Sequence, residues 1–532
     1  MTTSSRISHR KIWMFPRNKR RTRPLDVALT LRALIVASNR GTTWSGKQEQ
    51  QNEFAKLLDE FELKDGGSLR DKNSGGSRTY AAQFRSLGLI YDDKTSLMLT
   101  QAGEDMVNLS NPTGTLQFQV LKFKYPSEYS LSSNVKIHPS IKVRPFLLLL
   151  KLASDADLQG LSDTDVMVAV VHGRSDASFQ LCKTRIQKAR ADGIDKVIPN
   201  NDDIRTPRTR NNSYDQRLSD IKDVANTFKN VLQGVDLIEL RFVQGEKRFF
   251  PRPGVMSLAD DVKSVPYVDW INTHAMQAML KFGNRKGSVK DTRRVFMPNT
   301  NPELSTKESL IAKRFLDTTS FPVTDSEIQS FSQKMQNEFG LSYAQIRNAL
   351  EPFLQNISQY TGARLLSLSS GGLSTAIAFE RAIARVFELE FGYETEWTGP
   401  RKRPAGLVGG YADVHVIECG RNFCGIIDAK STKEYSLPHN DYAKMLKTYI
   451  PAIHEIYGKR PGGYRLSFIA FVSHMITPGA TTKARRLFEE SGVPIALCSA
   501  YGLNNMREDP SFRRCPERVT SHLSSGPVVQ IQ

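Results

Sequence analysis

Apolar positions recur at helical spacing through most of this chain, and short stretches of strand-like patterning mark where each group of helices ends. Leu25–Ser38, Lys47–Phe61 and Arg78–Leu87 follow the helical period, the last stopped by Gly88. Leu89–Tyr91 and Ser96–Thr100 then read as two short strands about the polar turn Asp92–Thr95, and Lys11–Phe15 as a further short strand ahead of the helices. Helix, helix and small hairpin predict a winged helix-turn-helix over residues 1–155. Residues 156–255 repeat the arrangement. Leu161–His172, Ala177–Ala191 and Tyr214–Leu232 are helical by period, and Leu237–Val243 and Lys247–Pro251 form a hairpin about Gln244–Glu246. Between the two units, Leu116–Pro126 is an aromatic and basic packing connection. Residues 256–370 carry helical segments at 266–282, 305–318, 325–339 and 342–360 and read as a connector, closed by the Ser/Gly-rich joint Ser367–Gly372.

From 371 to 510 the period changes again. Ser374 caps a helix reaching Phe391, with an apolar face at Ile377, Ala378, Ile383, Val386 and Phe387. Strands follow at Tyr393–Trp397, Ala412–Glu418 and Phe423–Ala429, then a helix at Asp441–Tyr457. The strand Arg465–His474, the helix Thr482–Ser491 and the strand Val493–Ser499 complete the domain. Residues 511–532 read as a tail. The fold class expected is therefore multidomain α/β and α+β: winged-helix-like subdomains, a helical connector, and a C-terminal αβββαβ domain with a mixed sheet.

Composition narrows the partners. A chain of 532 residues is too long for one core. Lys+Arg 73 against Asp+Glu 55 gives a net charge of +18, which implies a polyanion: nucleic acid first, an anionic membrane second. No apolar run reaches membrane-spanning length, Phe146–Leu150 being one turn of a buried helix, so the expectation is a cytoplasmic protein with no membrane partner. The five cysteines follow no zinc or disulfide spacing. The cations cluster where phosphate contact is expected: Arg17, Lys19, Arg20, Arg21 and Arg23 behind Pro16. Arg78, Gln83 and Arg85 on the second helix of the first unit are long enough to reach base edges, and Arg217 sits on a helix of the second unit.

The candidate chemistry lies in Gly410–Lys430. With Gly420-Arg421 as the hairpin loop, pairing back along the ladder sets Asp413 directly opposite Asp428, and Lys430 projects from the same face. Two carboxylates and an ammonium at a strand end suit Mg²⁺, which takes one or two carboxylates beside water and substrate phosphate. The lysine then orients or deprotonates the attacking water. Against a solvated hairpin whose charges merely pair stands the second strand, where Ile426 and Ile427 make both faces apolar and place it centrally. Glu62-Leu-Lys64 and Asp261-Val-Lys263 repeat the triplet without such a hairpin, so the triplet alone carries little. There is no P-loop, and His454-Glu455 lacks the second histidine of a zinc helix.

The pair Asp413…Asp428-Ala-Lys430, preceded by a helix carrying Glu380, resembles the PD-(D/E)xK nuclease signature. That resemblance implies metal binding by Asp413 and Asp428 and water activation by Lys430. It also implies support from Glu380, with Glu388 or Glu390 as substitutes. Residues 10–255 resemble type IIS restriction endonucleases of the AlwI, PleI and MlyI kind and their nicking relatives. The features are Trp13–Pro16, Thr43–Lys47, the Gly88–Thr100 hairpin with Ala102-Gly103, Lys124–Pro126 and Asp223–Ala225. The family pattern implies recognition of a short asymmetric site in double-stranded DNA and Mg²⁺-dependent phosphodiester hydrolysis a fixed distance away. It further implies transient pairing of nuclease domains or a small nuclease subunit, and a cognate DNA methyltransferase in the same system. Three other readings stay open: a nicking or large subunit of a heterodimeric enzyme, a winged-helix regulator with an inactive nuclease-like domain, and a transposon-end nuclease.

Overall fold

Among the described residues helical segments outnumber strands roughly two to one, and one large sheet lies near the C-terminal end. The computed structural model describes the chain outside residues 1–9, 17–22, 39–47, 62, 64–74, 94–95, 110, 128–129, 131–136, 202–203, 205, 207–212, 267, 269–274, 285–301, 320, 400–409, 419 and 459–462. In chain order the helices are α1 (Pro24–Ser38), α2 (Gln48–Glu60), α3 (Gly75–Ser86), α4 (Gln101–Val107), α5 (Pro112–Lys122), α6 (Pro145–Ala153) and α7 (Asp163–His172). They continue as α8 (Phe179–Asp192), α9 (Tyr214–Gly234), α10 (Val255–Ser264), α11 (Ala275–Phe282), α12 (Pro302–Thr318), α13 (Asp325–Phe339) and α14 (Tyr343–Leu354). The last are α15 (Ile357–Ser369), α16 (Ala376–Arg385), α17 (His439–Lys444), α18 (Ile450–Tyr457), α19 (Pro478–Ser491), α20 (Ala500–Glu508) and α21 (Pro516–Leu523). The strands are β1 (Ile90–Asp93), β2 (Ser96–Leu99), β3 (Ile238–Val243), β4 (Glu246–Pro251), β5 (Glu394–Trp397), β6 (Val414–Glu418), β7 (Phe423–Ala429), β8 (Arg465–Ser473), β9 (Ile495–Ser499) and β10 (Val528–Ile531). Contacts divide the chain into two compact units: residues 1–239, 248–314 and 335–352, and residues 240–247, 315–334 and 353–532.

In the first unit, three helices precede the antiparallel hairpin β1–β2, which pairs Ile90 with Leu99 and Tyr91 with Met98. The apolar side of the hairpin is covered by α11, through Tyr91, Met98, Met279 and Phe282. Thr100 stops the second strand and starts α4 by accepting from the Gly103 amide at 3.1 Å. Lys11–Phe15 is not a regular strand. Arg10 bridges to Ile137, and Ile12, Trp13 and Phe15 are buried because the aromatic cluster of Phe123, Phe146 and Phe228 gives them more contact than a sheet edge would. Leu116–Lys122, expected as a connection, is the second half of α5.

In the second unit, six strands run in the order β10-β9-β8-β7-β6-β5. β7 pairs antiparallel with β6 and parallel with β8, so it is central, as its apolar residues on both faces require. The two-residue period sends Val414, Ile427 and Ala429 into one core, against α16 and α20–α21. Ile417, Cys424 and Ile426 enter the other, against α17–α19. Between Cys424 and Gly425 the register with β8 shifts, and a Cβ at Gly425 would lie 2.4 Å from the Phe468 ring, so that step of the strand accepts glycine alone. The helix expected at Ser374–Phe391 starts two residues later and widens into a π turn at Val386–Glu390. Ile377, assigned to its apolar face, points to solvent at 60 % exposure. Phe379 and Ala382 join the expected Ile383 in the core positions.

The expected tail is part of this fold. α21 buries Val519 and Leu523, and β10 adds a parallel edge strand to β9 with Ile531 buried. A four-residue strand gives too short a pattern to detect without its partner. Burying three such side chains contributes about 5–9 kcal/mol at ~1.5–3 kcal/mol each, comparable with the whole stability of a domain. Deletion of residues 511–532 is therefore expected to abolish cooperative folding of this unit, seen as rapid limited proteolysis and loss of its thermal transition. A truncated chain melting within about 2 °C of the full one would contradict the assignment.

Candidate active site

The ladder of β6 and β7 runs from Glu418↔Phe423 down to Val414↔Ile427, and one further step sets Asp413 against Asp428. Asp428 belongs to the central strand and is 1 % exposed, while Asp413 precedes β6 and is half-buried. A set of bonds holds the pair in place. The Ala429 amide donates to Asp413 Oδ2 at 2.7 Å. The Lys430 ammonium meets Asp428 Oδ1 at 3.0 Å and Oδ2 at 2.9 Å. The Lys430 amide donates to the Val472 carbonyl at 2.8 Å, which keeps the residue beyond β7 anchored to β8. Ser473 Oγ then donates to the Lys430 carbonyl at 2.8 Å.

Two facing carboxyls and one ammonium leave one surplus negative charge in a poorly solvated pocket. Burial raises the Asp413 pKa well above the ordinary carboxylate range, and the Asp428 charge adds to it. Burial also raises Asp428, against the opposing pull of Lys430. Burial alone would lower the Lys430 pKa, but Asp428 and Asp413 outweigh it and the net shift is upward. Glu380, from α16, is half-buried and raised by burial, while the Trp397 indole N–H donates to its Oε2 at 3.1 Å. Arg381 stacks over the same indole, 4.2 Å from the ring centroid. The opposite wall is tyrosine. Tyr435 donates to Asp441 Oδ2 at 3.0 Å, and Tyr449 is pushed up to about 12 by burial and by Asp428.

Among the described residues no three His, Cys, Asp or Glu side chains form a metal cage. The surplus charge and the all-oxygen donors fit Mg²⁺, which completes its shell from water and phosphate, better than zinc, which requires a fuller protein ligand set. Glu388, the alternative to Glu380, is exposed, and Glu390 is engaged by Arg507 at 3.3 Å. Sequence reasoning placed Asp413, Asp428, Lys430 and Glu380 together. It missed Trp397 and Tyr435, whose spacing to the acids follows no local period.

The cations expected to meet DNA have several fates. Arg17, Lys19, Arg20 and Arg21 lie outside the described residues, as does the side chain of Arg78 in the first turn of α3. Arg23 is exposed just ahead of α1. Arg85 makes a two-point pair with Asp92 on β1, both contacts 2.9 Å, with its side chain 16 % exposed. Gln83 and Arg217 are corrections: both are buried, at 1 % and 7 %. In α9 the inward stripe is Arg217, Asp220, Ile221, Val224 and Phe228, so its helical spacing turns Arg217 into the unit and away from any base edge.

No curated protein matches this chain. Residues 340–516, a third of the chain, match the family described as "FokI, cleavage domain". Two solved structures of the restriction endonuclease FokI align over 98 % of this chain and 100 % of theirs. One shows 11 % identity and the other, bound to DNA, 13 %, each with a TM-score of 0.28. Likeness at that level carries no argument, whereas the family match spans the whole carboxylate–lysine site. Residues 340–516, which hold the two facing aspartates and the lysine, are similar to that cleavage domain, and the chain is a restriction endonuclease, a site-specific deoxyribonuclease.

Proposed function

We propose that this enzyme recognises a short asymmetric duplex sequence with its first unit and hydrolyses phosphodiester bonds, Mg²⁺-dependently, at a fixed distance outside it. The observation that carries the reading is Asp413 set against Asp428 at the end of a central strand, with Lys430 bonded to the second carboxylate at 2.9–3.0 Å. In PD-(D/E)xK terms Asp413 and Asp428 hold the metal, which when bound supplies Lewis-acid stabilisation of the phosphate charge. The Ala429 amide fixes the rotamer of Asp413. Lys430, held by Asp428, presents its ammonium to orient the attacking water and to meet charge developing on the phosphate oxygens. Glu380, oriented by Trp397, supports the site from α16. The helices ahead of β1–β2 act as a winged-helix-like recognition module of the AlwI, PleI and MlyI kind, residues 156–255 as a second, and 256–370 as connector. Arg23 and the basic run before it, with Arg78 and Arg85, are the phosphate and base contacts. The described residues hold one such site, so cutting both strands takes a transient homodimer or a small nuclease subunit. A cognate methyltransferase protects the host site.

The test is digestion of mixed-sequence supercoiled plasmid with Mg²⁺ and with EDTA. Discrete linear fragments with cuts at a constant offset from one asymmetric sequence, absent in EDTA, are expected. Open circles alone would make it a nicking enzyme or a large subunit. Salt-sensitive specific binding without any cutting would favour the regulator reading.

A further inference from the structure

Four large apolar residues are notably exposed among those described, and two of them stand four positions apart beside the catalytic lysine: Leu373, 98 % exposed, and Ile377, 60 % exposed. An exposed apolar cluster can mark a contact surface. Between them is Thr375, whose hydroxyl lies 2.8 Å from that of Ser431, the residue after Lys430. Thr375 Oγ1 and Ser431 Oγ also both donate to the Leu368 carbonyl, at 2.9 and 2.6 Å. The turn carrying the pair is thus stapled to the end of β7. Gly372, in the left-handed region at φ +75° with nothing within 4 Å of a built Cβ, lets the chain turn sharply enough to lift Leu373 clear of the surface.

Leu373 and Ile377 are each two residues from Thr375, at most ~7–8 Å of backbone path, and the grooves of duplex DNA are about 6–12 Å wide. The pair therefore lies close to where a duplex would bring a phosphate to Lys430. Arg381, one turn beyond Ile377, is exposed and adds positive charge to the same helix face. Resting on the nuclease reading above, we propose that Leu373 and Ile377 form an apolar contact surface for the substrate duplex, seated in the minor groove against sugars and base edges flanking the scissile phosphate. Apolar side chains are used in this way in minor-groove binding, where they wedge at base steps. The pair holds the strand at the site and makes no contribution to sequence recognition by the first unit.

Two measurements test this on the full chain. The double variant Leu373→Ser/Ile377→Ser, with an unchanged thermal transition, is expected to cut plasmid 10–100-fold more slowly at saturating enzyme. DNA binding should stay within twofold by gel shift, and the solution mass without DNA should be unaltered. Unchanged cleavage would overturn the proposal. So would lost cleavage accompanied by a fall in mass, because the surface would then be an interface between copies. Separately, a maleimide reacting with Leu373→Cys is expected to be slowed at least tenfold by plasmid DNA in Ca²⁺, read by peptide mass spectrometry; equal labelling with and without DNA would sink it. This footprint needs no turnover. A wild type that never cuts, with a protected thiol, would remove the nuclease reading and keep the surface, while a cutting wild type with an unprotected thiol would do the reverse.

Discussion

Asp428→Asn is expected to cut DNA at least ~10³-fold more slowly than wild type, a barrier increase of about 4 kcal/mol, while melting at the same or a higher temperature. The substitution keeps shape and volume on a fully buried position of the central strand, so packing in both cores is preserved. What it removes is one of two carboxylates available to a metal and the partner that holds the Lys430 ammonium at 2.9–3.0 Å. The stability sign follows from linkage. Folding raises the pKa of both Asp413 and Asp428, so each ionised carboxyl works against the folded state at neutral pH. A neutral amide at 428 relieves that repulsion, and the loss of Lys430's partner offsets part of the gain. Activity and stability therefore move in opposite directions, the mark of a site held at some cost to the fold. Plasmid cleavage and a thermal melt on the same preparation check both. Cleavage within tenfold of wild type would remove Asp428 from the site, and a melt many degrees lower would mean that its charge serves the fold.

The hairpin was the most legible part of the sequence because its information is local. Two apolar runs and a loop of known length leave one register, and that register alone put Asp413 against Asp428. Centrality of β7 was also readable, since Ile426 and Ile427 need two covered faces. Helical faces were harder. The period says that a helix has an inward stripe, but in α9 the stripe includes Arg217 and Asp220, and hydropathy assigns such residues to solvent. In α16 the reverse occurs: Ile377 is apolar yet exposed, because contact with Leu365 and Leu368 of α15 and with the sheet falls on the Phe379–Ile383 side. β10 was invisible for a third reason. Val528–Ile531 is a strand only by virtue of β9, whose Ile495–Cys498 supplies every pairing partner. Trp397 and Tyr435 belong with it: tertiary placement, not spacing, brings them to Glu380 and Asp441.

The largest stability loss from a single side chain is expected at Arg507, on α20. Its guanidinium is 1 % exposed, and it donates to Asn504 Oδ1 at 3.0 Å, Ser358 Oγ at 2.8 Å and Glu390 Oε2 at 3.3 Å. It thereby ties α15, the end of the α16 segment and α20 together. Arg507→Met preserves most of the volume but takes from Glu390, 20 % exposed, the cation bonded to it. Breaking a buried ion pair from one side costs about 3–5 kcal/mol, which in a unit of this size lowers the melting temperature by roughly 10 °C. Arg507→Lys recovers little, since an ammonium cannot span the several partners that a planar fork reaches at once. The deficit carries a pH signature. Burial already raises the Glu390 pKa in the folded protein, and Arg507 opposes that rise. With the cation gone the folded pKa climbs further above its ordinary 4.5, so the penalty is full at neutral pH. It fades as pH falls through the folded pKa, and is gone below 4.5, where Glu390 is protonated in both states. Melts at pH 7.5 and pH 5 should therefore show the gap between Arg507→Met and wild type narrowing on acidification, and Glu390→Gln in the same background should close much of it at pH 7.5. A gap that is constant with pH and untouched by Glu390→Gln would mean that Arg507 acts through packing and its neutral hydrogen bonds alone.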